Sequence, residues 1–297
     1  TLYFRATAGR DSEEFYANPE IGEFWVGPRP SLDAVAADLG LATADLGAFT
    51  AVADALDASA LLVREADDDL TRSLDTRIGA AIGGVDETDD SPASDDLLAR
   101  DLSELRLVKD AYEVRELRKA VDATKHGFDD VIADFDAVLA HPRGERIVEG
   151  TFNRRARADG NTVGYDTIAA SGHHACILHW TRNDGAVKPG DLILIDAGVE
   201  VDSFYTADIT RTLPVSGTFS PVQRMVYEAV LEAADAAFAI VKPGITFRQV
   251  HATAMEVIAR KTAEWGFLPV SAAESLEPDN QFHRRYMVHG TSHHLDR

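Results

Sequence analysis

The sequence predicts an α+β protein of two domains, and three observations support this. In the second half, helix-period and strand-period patterns follow one another as two helices, strands, two helices, strands. Within that order, Leu192 to Leu213 has the pattern of a β-hairpin. Gly83 to Asp96 combines Gly, Pro, Ser and a dense acidic run, which is typical of a flexible connection. We therefore expect a smaller α/β domain at 1–104 and a larger α+β domain at 105–297.

The composition excludes several classes of protein. With 45% hydrophobic and 27% charged residues, the chain has the balance of a soluble globular protein. No apolar run approaches the ~20 residues of a membrane helix, and no signal pattern is visible. A net charge of −21 argues against nucleic acid or an anionic membrane as partner. The single cysteine, Cys176, suits a reducing compartment, so we expect a cytoplasmic protein.

The first domain alternates helix-like and strand-like segments and contains no motif that indicates chemistry. Thr1 to Arg5 alternates like a strand, and Pro30 and Ser31 precede a helix start at Leu32. Ala60 to Val63 has the composition of a second strand.

Capping signals predict the helices of the second domain. Asp110 and Glu113 form a capping box ahead of a long amphipathic pattern, and Ser220 and Thr246 each open a similar box. A further helix is expected from Gly144 to Ala158.

Short strands and the hairpin lie between these helices. Asp166 to Ala170 and Ala175 to Leu178 are strand-like. The hairpin is expected to join a strand at Leu192 to Ile195, buried on both faces, with a second at Ala207 to Leu213.

A three-residue turn at Val201 to Ser203 would bring Asp196 opposite Asp208. Directly opposed residues have Cβ atoms roughly 4.5–5.5 Å apart, so two carboxylates there would repel unless one holds a proton or a cation lies between them. A pair of divalent ions resolves this best. The alternative is that the hairpin slips by a residue, or that each Asp caps a turn beside Gly198 or Thr206.

Histidines supply the remaining candidate groups. His289, His293 and His294 fall within six residues, and imidazole is the commonest metal ligand in proteins. A surface cluster or a tagged end is the alternative explanation. His179 follows the strand-like segment at 175–178, where strand alternation places it on the face opposite Leu178.

Four motifs together resemble a known group of enzymes. ILHW at 177–180, IDAG at 195–198, ADITRT at 207–212 and HGTSHH at 289–294 have the order and approximate spacing of the aminopeptidase P and prolidase group of metallopeptidases. The second half resembles their pita-bread catalytic domain, and residues 1–100 resemble part of the creatinase-type N-terminal domain that precedes it.

This resemblance implies a dinuclear metal site. Asp196 would bind one metal, Asp208 would bridge both, and His293 would bind the other. His179 and His289 match catalytic positions that contact the substrate. Oxygen-rich ligation suits two Mn²⁺ ions, with Co²⁺ or Zn²⁺ as alternatives.

The chain departs from the family pattern in two ways. Asp196 and Asp208 are twelve positions apart where the family more often has eleven, which implies one extra turn residue. The family's two glutamate ligands lie beyond its HG-x-S-H motif, and this sequence stops at Arg297. We therefore expect both domains to be truncated, with three ligands of five, and the chain alone to be inactive.

An Xaa-Pro aminopeptidase is the function that the resemblance implies, with a homo-oligomer, dimer or tetramer, as its assembly. The substrate would be a peptide with proline at the second position; an Xaa-Pro bond has no amide hydrogen, so the free amine, the carbonyl and the ring must orient it. Three alternatives remain. They are a prolidase acting on Xaa-Pro dipeptides, a methionyl aminopeptidase, which the large N-terminal domain disfavours, and a non-catalytic pita-bread binding module, which the retained ligands disfavour.

Overall fold

The described residues of the computed structural model form two compact units, Thr1–Leu105 and Arg106–Arg297. The structure describes residues 1–4, 27, 30–57, 59–64, 66–82 and 94–295. Among the helices of these ranges, none combines the length and the apolar composition needed to cross a bilayer.

The first unit contains a short parallel pair of strands with helices around it. Strand β1 (Leu2–Phe4) pairs with β2 (Thr43–Asp45), as expected for the N-terminal strand. The helices are α1 (Leu32–Leu39), α2 (Phe49–Asp54), α3 (Asp68–Ile82) and α4 (Ser94–Leu107).

Two expectations for the first unit need comment. The strand expected at Ala60 to Val63 is wrong, because the Leu62 N–H donates to the Asp95 carboxylate at 2.9 Å rather than to a neighbouring strand. Of the connection expected at Gly83 to Asp96, residues 83–93 lie outside the described residues, and its last three residues begin α4.

The second unit contains the helices α5 (Ala111–Ala133), α6 (Phe135–Ala140), α7 (Gly144–Asp159), α8 (Pro221–Ala239), α9 (Phe247–Glu264) and α10 (Ala272–Leu276). Of these, α5, α8 and α9 begin where the sequence predicts a capping box. At α5, the Glu113 N–H donates to Asp110 Oδ1 at 2.9 Å and the Asp110 N–H donates to Glu113 Oε2 at 2.7 Å. Reciprocal boxes also form at Ser220 and Thr246. These expected starts are confirmed because each cap satisfies orphan N–H groups locally.

The strands of the second unit form two small antiparallel sheets. They are β3 (Thr162–Val163), β4 (Ile168–Ser171), β5 (Leu192–Ala197), β6 (Val199–Glu200) and β7 (Ile209–Pro214). The order β4-β5-β7 makes one sheet, and β3 pairs with β6 in the other.

Strand β5 has one buried face and one partly open face. Ile193, Ile195 and Ala197 are fully buried in a core that also contains Val148 and Phe152 of α7. Side chains on the other face, including Asp196, are only partly buried. The expectation of burial on both faces is therefore wrong, and the open face gives the Asp196 carboxylate access to solvent.

The hairpin between β5 and β7 has a different register from the expected one. Asp196 pairs with Thr210, not with Asp208, and Glu200 pairs with Thr206. The shift is two residues. Because side chains alternate with a period of two, Asp208 stays on the face of Asp196, but diagonal to it.

A longer loop causes this shift. The loop runs over residues 201–205, and the Val201 N–H donates to the Tyr205 carbonyl at 3.0 Å. Helix α5 holds the loop, since the Ser203 hydroxyl donates to Glu116 Oε2 at 2.8 Å and the Tyr205 hydroxyl donates to Glu113 Oε1 at 3.1 Å. These contacts with a distant helix are invisible to local turn rules.

Candidate active site

One pocket contains five of the side chains that the sequence singled out, and the sixth, His294, is not among its lining residues. The pocket has a volume of about 680 Å³. His179, Asp196, Asp208, His289 and His293 line it, together with Leu178, Thr210, Gly290, Thr291, Ser292 and Leu295. Residues from three separate stretches of chain therefore meet at one place.

A tyrosine hydroxyl joins the two carboxylates. Tyr165 Oη donates to Asp196 Oδ1 at 2.6 Å and lies 2.9 Å from Asp208 Oδ1. Burial raises the pKa of Tyr165 far above its ordinary value, and the two carboxylates raise it further. The hydroxyl therefore keeps its hydrogen, which the two carboxylates share. Thr210 Oγ1 donates to the other oxygen of Asp196 at 2.7 Å.

His293 brings a positive charge against Asp208. Its Nδ1 lies 2.9 Å from the His294 carbonyl, which can only accept, so Nδ1 carries a hydrogen. Its Nε2 lies 3.0 Å from Asp208 Oδ2, another acceptor. The hydrogen bond to the His294 carbonyl raises the pKa of His293, and the charge of Asp208 raises it further, whereas burial lowers it. The geometry is that of an imidazolium paired with Asp208.

The donor types in this pocket fit a divalent cation. Two carboxylates and an imidazole are hard and borderline ligands, and fixing His293 Nδ1 on a backbone carbonyl leaves Nε2 as the ligand nitrogen. In the structure, the Tyr165 hydroxyl and His293 Nε2 lie against three of the four carboxylate oxygens. In keeping with that closed arrangement, the described part of the chain contains no group of three His, Cys, Asp or Glu side chains spaced to hold an ion.

His179 reaches the pocket from a turn and not from a strand. The strand expected at Ala175 to Leu178 is wrong, because Gly172–Cys176 forms a 3-10 turn and the chain turns again at His179. Gly172 has a φ of 58°, which allows the first bend. His179 itself is exposed at the pocket.

Helix α9 anchors the loop that carries the other histidines. His251 Nδ1 of α9 lies 2.5 Å from Thr291 Oγ1, and the Phe247 ring lies 5.1 Å from the His294 ring. His289 Nδ1 donates to the Gly290 carbonyl at 2.5 Å, which leaves Nε2 available.

Sequence reasoning missed two residues that contact the carboxylates. Thr210 follows Asp208 by two positions, so strand alternation alone could have found it. The sequence around Tyr165 only weakly indicates its role. It shows a tyrosine ahead of a buried strand, and a tyrosine hydroxyl in such a place needs a hydrogen-bond partner.

Comparison with known proteins assigns the chain to a family. Residues 115–297, more than half of the chain, match the family model described as Metallopeptidase family M24. The chain belongs to metallopeptidase family M24. Xaa-Pro aminopeptidase 2 of Streptomyces coelicolor is 48% identical to this M24 chain over 286 residues, which are 96% of this chain and 57% of that protein. The chain thus spans little more than half the length of this relative.

Solved structures of aminopeptidase P have a similar fold. Escherichia coli aminopeptidase P in its low-pH form has a TM-score of 0.74 at 26% identity, over 98% of this chain and 63% of that one. A zinc-substituted E. coli aminopeptidase P in complex with product has a TM-score of 0.71, with the same identity and coverage. The expected α+β fold and the resemblance to the aminopeptidase P group are confirmed. The family to which the chain belongs is thus one of metallopeptidases.

Proposed function

We propose that the whole protein is a metal-dependent Xaa-Pro aminopeptidase, which removes an N-terminal residue that precedes proline. The observation that carries the proposal is the single pocket in which two carboxylates and three imidazoles converge. The curated relatives named Xaa-Pro aminopeptidase support the substrate class.

Asp196, Asp208 and His293 would hold the metal after displacement of the Tyr165 hydrogen bonds, since all three line one pocket and His293 Nε2 lies 3.0 Å from Asp208 Oδ2. When bound, a pair of divalent ions would supply a nucleophile from water at neutral pH and polarise the scissile carbonyl. We propose Mn²⁺, with Co²⁺ or Zn²⁺ as alternatives, because two of the three ligands are carboxylates.

His179 and His289 would orient the substrate. Both are exposed in the pocket, so each can reach a peptide placed against the carboxylates. An imidazole can donate to a carbonyl oxygen or move a proton at neutral pH. The carboxylates attract the free α-amine of the peptide, and proline at the second position offers no N–H that would need an acceptor.

A peptide series tests this function. Chelator-treated whole protein reloaded with Mn²⁺ should cleave Xaa-Pro-Xaa tripeptides and leave Xaa-Ala-Xaa tripeptides intact. Asp208→Asn should abolish cleavage, whereas Asp202→Asn, the same change at an exposed loop position of the hairpin, should not. Equal cleavage of the proline and alanine series, or full activity without metal, would contradict the proposal. Activity on Xaa-Pro dipeptides alone would indicate a prolidase.

The assembly and cellular site are further parts of this proposal. We propose a cytoplasmic homo-oligomer, a dimer or tetramer, that uses neither nucleic acid nor membrane as partner, in keeping with a net charge of −21. Light scattering of the purified whole protein measures the assembly directly, and a monomer at micromolar concentration would contradict it.

A further inference from the structure

Glu145, in the first turn of α7, is a fully buried carboxylate with four hydrogen-bond donors. Its Oε1 accepts from the Ser171 N–H and from His174 Nδ1, both at 2.8 Å. Its Oε2 accepts from the Gly185 N–H at 2.7 Å and from Trp180 Nε1 at 3.0 Å. Each oxygen therefore receives two hydrogens.

These partners determine the charge of the group. Backbone N–H groups and an indole can only donate, so three of the four contacts are hydrogen bonds accepted by Glu145, and the arrangement is complete when Glu145 is a carboxylate and His174 donates from Nδ1. A buried carboxylate is costly unless it is fully hydrogen-bonded, and here all four positions are filled. The His174 ring also stacks on Trp180, with centroids 3.9 Å apart and an angle of 23°.

All four donors lie on residues 171–185, the segment that carries His179. His174 is fixed before His179, and Trp180 is fixed immediately after it. Helix α7 adds one more contact, since Arg146 Nη2 donates to the Arg182 carbonyl at 3.1 Å. Contacts from helix α7 therefore fix the chain on both sides of the exposed turn at His179.

We propose that Glu145 is a positioning residue that sets the place of His179 in the pocket during Xaa-Pro cleavage. This inference rests on the proposed function. Glu145 does not line the pocket, so it acts through the turn. Misplacing a catalytic group by 1 Å can cost about 100-fold in rate, so the contacts that fix the turn at Glu145 matter for His179.

Kinetics of the whole protein with Mn²⁺ give the first test. Glu145→Gln keeps the size of the side chain but turns an amide NH₂ toward two of the four donors, so kcat should fall by about 100-fold with a much smaller change in KM. Glu149→Gln, one turn along the same helix, is the matched control and should leave kcat unchanged. In a His179→Ala background, Glu145→Gln should lower kcat little further, because both changes disable the same group. Losses that multiply in full would overturn the proposal.

A readout independent of turnover completes the test. In NMR spectra, the Trp180 indole N–H should exchange slowly with solvent in the unchanged protein, and the His179 ring signals should shift in Glu145→Gln but not in Glu149→Gln. If Glu145→Gln fails to fold, Trp180→Phe replaces it in the test. This variant removes one donor to Glu145 and keeps an aromatic ring against His174, so it should shift the His179 ring signals in the same direction by a smaller amount. Unmoved His179 signals would overturn the positioning role. Absence of Xaa-Pro cleavage in the unchanged protein would instead refute the proposed function, while the ring signals would still decide the positioning.

Discussion

Replacing Tyr165 by Phe removes the one hydroxyl shared by Asp196 and Asp208, and it changes no other group of the site. The hydroxyl has a single hydrogen, so its contacts at 2.6 and 2.9 Å together amount to about one hydrogen bond to a charged acceptor. Such a bond contributes roughly 1.5–3 kcal/mol. Its removal also leaves the two carboxylates to repel each other, which acts in the same direction.

The metal-free Tyr165→Phe variant should therefore be less stable by about 1.5–3 kcal/mol. For a domain of this size, that lowers Tm by roughly 3–12 °C. The effect on metal binding has the opposite sign. A cation at the same carboxylate oxygens must displace the hydroxyl, so the variant does not lose that bond on binding, and its affinity for the first Mn²⁺ should rise by about tenfold or more.

Thermal unfolding and Mn²⁺ calorimetry on the same samples test both parts. Tyr205→Phe is the matched control, because that hydroxyl donates to Glu113, away from the pocket, at 3.1 Å. It should change the Tm without changing Mn²⁺ affinity. An unchanged Tm of metal-free Tyr165→Phe, or weaker Mn²⁺ binding by it, would refute the idea that the hydroxyl and the metal compete for the same oxygens.

Four further predictions follow from the same site. His179→Ala in the whole protein should lower kcat by roughly 10²–10⁴-fold with metal content unchanged, and metal loss seen by elemental analysis would contradict the role of His179. The described site offers two carboxylates and one imidazole as cation ligands, so calorimetry on this chain should show one weak Mn²⁺ site, and two tight sites would contradict that set of ligands. Because the pKa of His293 is raised, protons compete with the metal at a higher pH than for an ordinary histidine, so Mn²⁺ affinity should increase as pH rises through that pKa. In the metal-free protein, the contribution of His293 to stability is present at low pH and is lost over the same rise in pH. A Mn²⁺ affinity that does not vary with pH would count against His293 as a ligand. Gly198→Ala should lower the free energy of unfolding, measured with urea, because a Cβ there would overlap the Ala207 carbonyl oxygen on the opposite side of the hairpin. Unchanged stability would show that the two segments can move apart without cost.

The sequence by itself determined the features that depend on neighbouring residues. Helices α5, α8 and α9 begin where capping boxes place them, because a side chain three residues away satisfies the free N–H groups whatever the rest of the chain does. The hairpin was also visible, and so was the face on which both carboxylates lie, since strand alternation survives a shift of two residues. The five pocket residues could also be predicted from the sequence, because each lies within a short contiguous motif.

Only the tertiary structure decided how these pieces meet. The hairpin loop is held by Glu116, whose contact with Ser203 joins residues 87 positions apart in the sequence. The turn at His179 depends on Glu145, because four donors find their acceptor on a helix and not on a neighbouring strand. Tyr165 joins the two carboxylates only after the sheet has formed. Buried polar groups must be satisfied, and their partners can lie anywhere along the chain, so local patterns cannot name them.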